Sequence, residues 1–96
     1  MPASIETVAV DNGAEWSIAA SVKDQYGNAI ISTLGWELAA TIASGDGSIA
    51  PTSGNTGSGS SFTFIYTEGT AGTLVNIEIT LAHGEYYAYG QALLQL

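Results

Sequence analysis

No cysteine occurs among the 96 residues, so disulfides and thiolate metal sites are excluded outright. Cysteine-free chains are found in the cytosol and on bacterial surfaces alike. Positive charge is almost as scarce: one cation, Lys23, stands against nine carboxylates, for a net charge of −8. One lysine cannot assemble a basic patch, and phosphate backbones and anionic headgroups are repelled. Neither a nucleic acid nor a membrane surface is therefore expected as a partner. No stretch approaches the roughly 18 consecutive apolar residues of a membrane-spanning helix. The opening Met1-Pro2-Ala3-Ser4 has no basic or apolar segment and does not read as a signal peptide. Two origins are then expected, a chain released in the cytoplasm or a domain cut from a larger precursor.

Charge of either sign is sparse. Only 10% of residues are charged, where a globular chain carries about a quarter. Gly, Ser, Thr and Ala fill the small and polar positions instead. The apolar share of 46% is that of a folded protein. The length predicts one domain spanning residues 1–96, large enough to bury about two-thirds of its unfolded surface.

What dominates is alternation of period two. Trp16, Ile18, Ala20 and Val22 alternate with Glu15, Ser17, Ala19 and Ser21. Leu34, Trp36, Leu38, Ala40 and Ile42 form a second row, Phe62, Phe64 and Tyr66 a third, and Val75, Ile77, Ile79 and Leu81 a fourth. Successive side chains of a strand point to opposite faces, so each run presents an apolar row on one side. Antiparallel sheets with one face buried require this pattern. Weaker strands are expected from Ser4 to Val10, with Val8 and Val10 on one face, around Ile49, and from Tyr86 to Leu96. The count comes to about seven.

Turn chemistry separates the runs at Asp11-Asn12-Gly13, Asp24-Gln25-Tyr26-Gly27-Asn28, Gly45-Asp46-Gly47 and His83-Gly84-Glu85. Gly and Asn accept positive φ there, and Asp caps its own backbone. The Gly/Ser-rich stretch from Ser53 to Ser60 reads as a loop. Short strands with turns roughly every 8 to 12 residues predict an all-β antiparallel sandwich.

Three segments also resemble a known family. Val22-Lys23-Asp24-Gln25-Tyr26-Gly27-Asn28-Ala29-Ile30 is similar to the V-x-D-x-x-G-N-P-V turn of bacterial immunoglobulin-like domains of the invasin and intimin type, with Ala29 in the place of the usual Pro. Gly45-Asp46-Gly47-Ser48-Ile49 resembles their G-x-G-x-hydrophobic segment. Thr70-Ala71-Gly72-Thr73-Leu74-Val75-Asn76-Ile77 looks like their T-x-A-G-T-x-x-V turn and strand. The three fall in the family's order over residues 4–92. The resemblance implies a Greek-key immunoglobulin-like sandwich, used as a spacer in adhesins and surface layers or carried on phage capsid and tail proteins. It brings no catalytic residues.

Reactive chemistry is poorly supplied. His83 is the only histidine and sits in an expected turn, with no nucleophile or metal partner at recognisable spacing. Asp24 and Asp46 could pair as acid and base only if their loops converged. Asp11, Asn12, Asp24 and Asp46 offer oxygen ligands to calcium, but not in the dense spacing of a dedicated loop. No enzyme, cofactor or metal is expected. Trp16 and Trp36 are in phase with their apolar rows and are expected in the core; a sugar-stacking platform is the sharper alternative for both, with Trp16 or the tyrosines the platform of a carbohydrate-binding module.

The last strand departs from the others. Tyr86, Tyr87 and Tyr89 cannot all point inward, nor can Leu93 and Leu94, and Leu96 continues an apolar ending. A strand apolar on both faces is sandwiched or touches a partner. Tyr86, Tyr87, Tyr89, Leu93, Leu94 and Leu96 are the expected protein interface. A virion surface protein of a phage, decorating a capsid or tail, is the first functional expectation, docked on that lattice or on copies of itself. One repeat of a bacterial adhesin or surface layer is the second, and a glycan-binding module the third.

Overall fold

The computed structural model describes residues 4–31, 35–83 and 86–96, save the side chains of residues 82, 83 and 86. Eight strands form: β1 (Ser4–Asp11), β2 (Glu15–Lys23), β3 (Glu37–Ser44), β4 (Ser48–Ala50), β5 (Ser53–Asn55), β6 (Ser61–Thr67), β7 (Leu74–His83) and β8 (Tyr86–Gln95). They build two antiparallel sheets of four strands, ordered β1-β2-β6-β4 and β5-β3-β7-β8. Among the described residues there is no helix. The architecture is a β-sandwich.

Its core is built mainly from the apolar rows read from the alternation, joined by Ile5 of β1 and by Ala88, Ala92 and Leu94 of β8. Ile18, Ala20, Val22, Phe64 and Tyr66 of the first sheet meet Leu38, Ala40, Val75, Ile77, Ile79 and Leu81 of the second, all of them buried. Fully burying one such aliphatic side chain contributes about 1.5–3 kcal/mol, which is why these rows fix the registers. Trp36 closes one end of the core, its Nε1 donating to the Ile30 carbonyl at 3.2 Å. Trp16 is half-buried against the other end and donates through Nε1 to Glu68 Oε2 at 2.7 Å.

One expectation from the sequence is corrected here and another is completed. Val8 and Val10 share a face, and it is the outer one: they are 55% and 52% exposed, and the inward residue of β1 is Ile5. Ile5 lies opposite Val22 and sets the phase of the strand, so Val8 and Val10, three and five residues on, must point outward. The segment beginning at Ser53 is not all loop, because Ser53–Asn55 pairs with Ala39, Leu38 and Glu37 along the open edge of β3. Backbone groups make that ladder, so it needs no apolar side chains. Leu34, expected to open the third strand, lies outside the described residues, and β3 begins at Glu37. An extra residue between Ile42 and Ser44 shifts the register against β7 and forms a β-bulge.

The sandwich is elongated, 39 × 20 × 20 Å. Strands of ten residues at about 3.3 Å per residue span some 33 Å, so the long axis follows the strands. Registers place Ser4, Lys23, His83 and Tyr86 at one pole, and Asp11, Glu15, Thr67, Leu74 and Gln95 at the other. Along one flank β1 of the first sheet lies against β8 of the second. A Cβ on Gly90 would overlap the Ile5 carbonyl oxygen, so glycine permits this approach. Thr7 Oγ1 donates to the Gln91 carbonyl at 2.7 Å and ties the two edges together.

Candidate functional site

Strand β8 runs along the edge of its sheet with only β7 as a ladder partner. Its inward row, Ala88, Gly90, Ala92 and Leu94, is buried. Three of those residues are small because β1 approaches there. The outward row is Tyr87, Tyr89, Gln91, Leu93 and Gln95, all exposed. Opposite it β7 presents Thr80, Glu78, Asn76 and Leu74 in register with Tyr89, Gln91, Leu93 and Gln95. Tyr87 is 63% exposed, Leu93 59%, Leu74 56% and Tyr89 40%. These four large side chains are gathered on one sheet face, which makes that face the candidate site.

This face has a fixed polar centre. Tyr89 Oη donates to Glu78 Oε2 at 2.9 Å, and Gln91 Oε1 stands 3.1 Å from the same hydroxyl. The hydrogen bond to Glu78, with that carboxylate's charge behind it, holds the Tyr89 proton above the ordinary phenol value of 10.0. Tyr89 therefore stays neutral and orients the carboxylate.

Of the six residues expected at an interface, Tyr87, Tyr89 and Leu93 lie on this outward face. The side chain of Tyr86 lies outside the described residues. Leu94 is corrected: it is wholly buried among the core residues and is not presented to a partner. Leu96 is also turned inward; it packs against the core, its N–H donates to the Thr73 carbonyl, and its own carbonyl accepts from Gly72 N–H. Leu74, Glu78 and Gln91 belong to the face and are not apparent from the last strand alone. Leu74 gives the one hint in sequence, being out of phase with Val75, Ile77, Ile79 and Leu81.

The loop carboxylates are each taken up locally. Asp24 Oδ1 accepts from the Asn28 and Tyr26 N–H groups at 2.9 and 2.8 Å, and Gly27 completes the turn at φ +82°. The bond from Asn28 leads in holding the Asp24 carboxyl below its usual value. Asp46 accepts from Thr70 Oγ1 at 2.6 Å and from Thr70 N–H at 3.0 Å, which lowers its carboxyl likewise. Tyr66 Oη donates to the Asp46 carbonyl at 2.5 Å, and burial raises that phenol. Asp11 Oδ1 caps Gly13 N–H at 2.9 Å. Asp24 and Asp46 do not converge, since Asp24 follows β2 at one pole while Asp46 is bonded beyond the end of β6 at the other. Among the described residues no three His, Cys, Asp or Glu side chains are placed to hold a metal ion. The His83 side chain lies outside the described residues. The indole of Trp16 is packed on the core with its N–H engaged by Glu68, so it does not stand free as a platform. Comparison of the chain with protein-family profiles, with curated proteins and with solved structures gives no match.

Proposed function

We propose that this chain is a non-catalytic, immunoglobulin-like structural module that docks on a protein lattice through the outer face of its second sheet, as a surface protein of a phage virion. Two things support the immunoglobulin-like assignment. The strand order sets the first, second and sixth strands against the third, seventh and eighth, and the three invasin-type motifs occupy the turns at Asp24, Asp46 and Thr70. The docking role is carried by one observation, the row of exposed Tyr87, Tyr89 and Leu93 with Leu74 beside it. The loop carboxylates Asp11, Asp24 and Asp46, by contrast, lie apart and accept hydrogen bonds from their own turns or from Thr70.

A second reading, a spacer repeat of a bacterial surface protein, is favoured by the opposite poles at which β1 begins and β8 ends. That geometry lets modules follow one another in line. Fractionation separates the two readings: mass spectrometry of density-purified phage particles and of cell envelopes from the same lysate. The virion role requires the chain in the particles at a stoichiometry that repeats with the lattice. Recovery in the envelope fraction alone overturns it.

A further inference from the structure

The charge of the molecule narrows what its second-sheet face accepts. Lys23 points from the outer face of the first sheet, 3.9 Å from Glu6 Oε1. The second-sheet face carries Glu37 and Glu78 and, among the described residues, no cation. Two copies of a chain bearing −8 repel one another, and face-to-face packing would set carboxylate on carboxylate. A second copy is therefore a poor occupant of this face.

The side chains name a better one. Tyr87 and Tyr89 are alternate residues of one strand, about 6–7 Å apart along it, with ring surface in water. Beside Tyr89 the Glu78 carboxylate is held by Tyr89 Oη through Oε2 before any partner arrives. An aromatic surface next to an oriented carboxylate is the pairing that a guanidinium requires, which stacks on the ring and donates in its plane to the oxygens. Leu93 and Leu74 supply apolar contact at the end of the same face.

We infer that the outer face of the second sheet receives a protein segment carrying arginine beside apolar side chains, with Glu78 and Tyr89 taking the guanidinium, Tyr87 extending the aromatic surface along the strand, and Leu93 and Leu74 taking the apolar groups. The inference rests on the docking role proposed above and names the chemistry of the partner. Hexa-arginine and hexa-lysine are the probes, titrated into the isotope-labelled full chain and followed by amide chemical shifts. Shifts are expected at residues 76–80 and 87–93, with hexa-arginine binding more tightly than hexa-lysine. Glu78→Gln and Tyr87→Ala should each weaken hexa-arginine by about three- to tenfold. Glu6→Gln, which removes a carboxylate from the other sheet, should leave binding at this face unchanged. Tyr87→Thr, a good strand former, replaces Tyr87→Ala if the alanine variant loses spectral dispersion.

Shifts spread over both sheets, or equal losses for Glu6→Gln and Glu78→Gln, would mean general attraction to an acidic protein and overturn the inference. So would cellohexaose perturbing the face while hexa-arginine does not, which would mark a glycan platform, or dimerisation through the face without any probe. Chain absent from phage particles but binding hexa-arginine at this face removes the virion role alone. Chain present in particles with no binding at the face removes the arginine chemistry alone.

Discussion

Strands β1 and β8 are both sheet edges, both run from the same pole, and they lie side by side, yet they are anchored differently. β8 buries its inward row from Ala88 to Leu94, whereas β1 buries Ile5 alone and leaves Val8 and Val10 in water. Apolar residues at alternate positions thus mean opposite things in the two strands. In β8 the buried phase is the one carrying Leu94, and its outward phase leaves Tyr87, Tyr89 and Leu93 exposed. In β1 the most apolar phase is the outward one. Alternation shows that a strand has two unlike faces; which face is covered depends on what the neighbouring sheet places there.

The largest effect that sharpens this contrast lies within β8. Leu94→Ala should cost about 2–5 kcal/mol, as truncation of a fully buried leucine does, while Leu93→Ala should stay within about 0.5 kcal/mol. Urea denaturation of the two variants measures both, and equal losses would place Leu93 in the core as well. Next comes the junction between the strands. Gly90→Val drives a side chain into the Ile5 backbone and should cost about 1–3 kcal/mol, with faster amide exchange in β1 than in β7. Uniform protection would show that β1 does not depend on β8.

Acidification should discriminate by location. Thr70 holds the Asp46 carboxyl below its ordinary value of 3.8, so the unfolded chain takes up that proton first as pH falls. The stabilisation is whole above about pH 4 and is lost as pH drops through the lower folded value. The Thr70 amide shift should follow that titration and flatten in Asp46→Asn. The Thr7 contact with Gln91 involves no carboxylate and should not respond. Smallest of all, Val8→Thr with Val10→Thr should shift the melting midpoint by no more than a surface change does, about 0.5 kcal/mol in free energy. A loss of several times that amount would return the valines to the interior.

Four central strands were legible because each buries apolar residues at strict alternation, and these supply most of the observed core. β5 was not, because Ser53, Gly54 and Asn55 join the sheet through main-chain groups and carry no apolar signal. The phase of β1 was hidden for another reason: one isoleucine outweighs two valines once Gly90 makes room for it. The candidate face was half legible. Adjacent tyrosines and adjacent leucines require that some point outward, but choosing Leu93 over Leu94 needs the register with β7, and that register also brings Glu78 beside Tyr89.

That β1 begins at one pole and β8 ends at the other bears on mechanical load. Tension applied between Ser4 and Gln95 runs along the strands, at right angles to the ladder bonds joining β1 to β2 and β7 to β8. Those bonds are then sheared together instead of being peeled open one after another. A module strung in line, or tethered at one pole and gripped at the other, would resist pulling as a unit up to a single rupture.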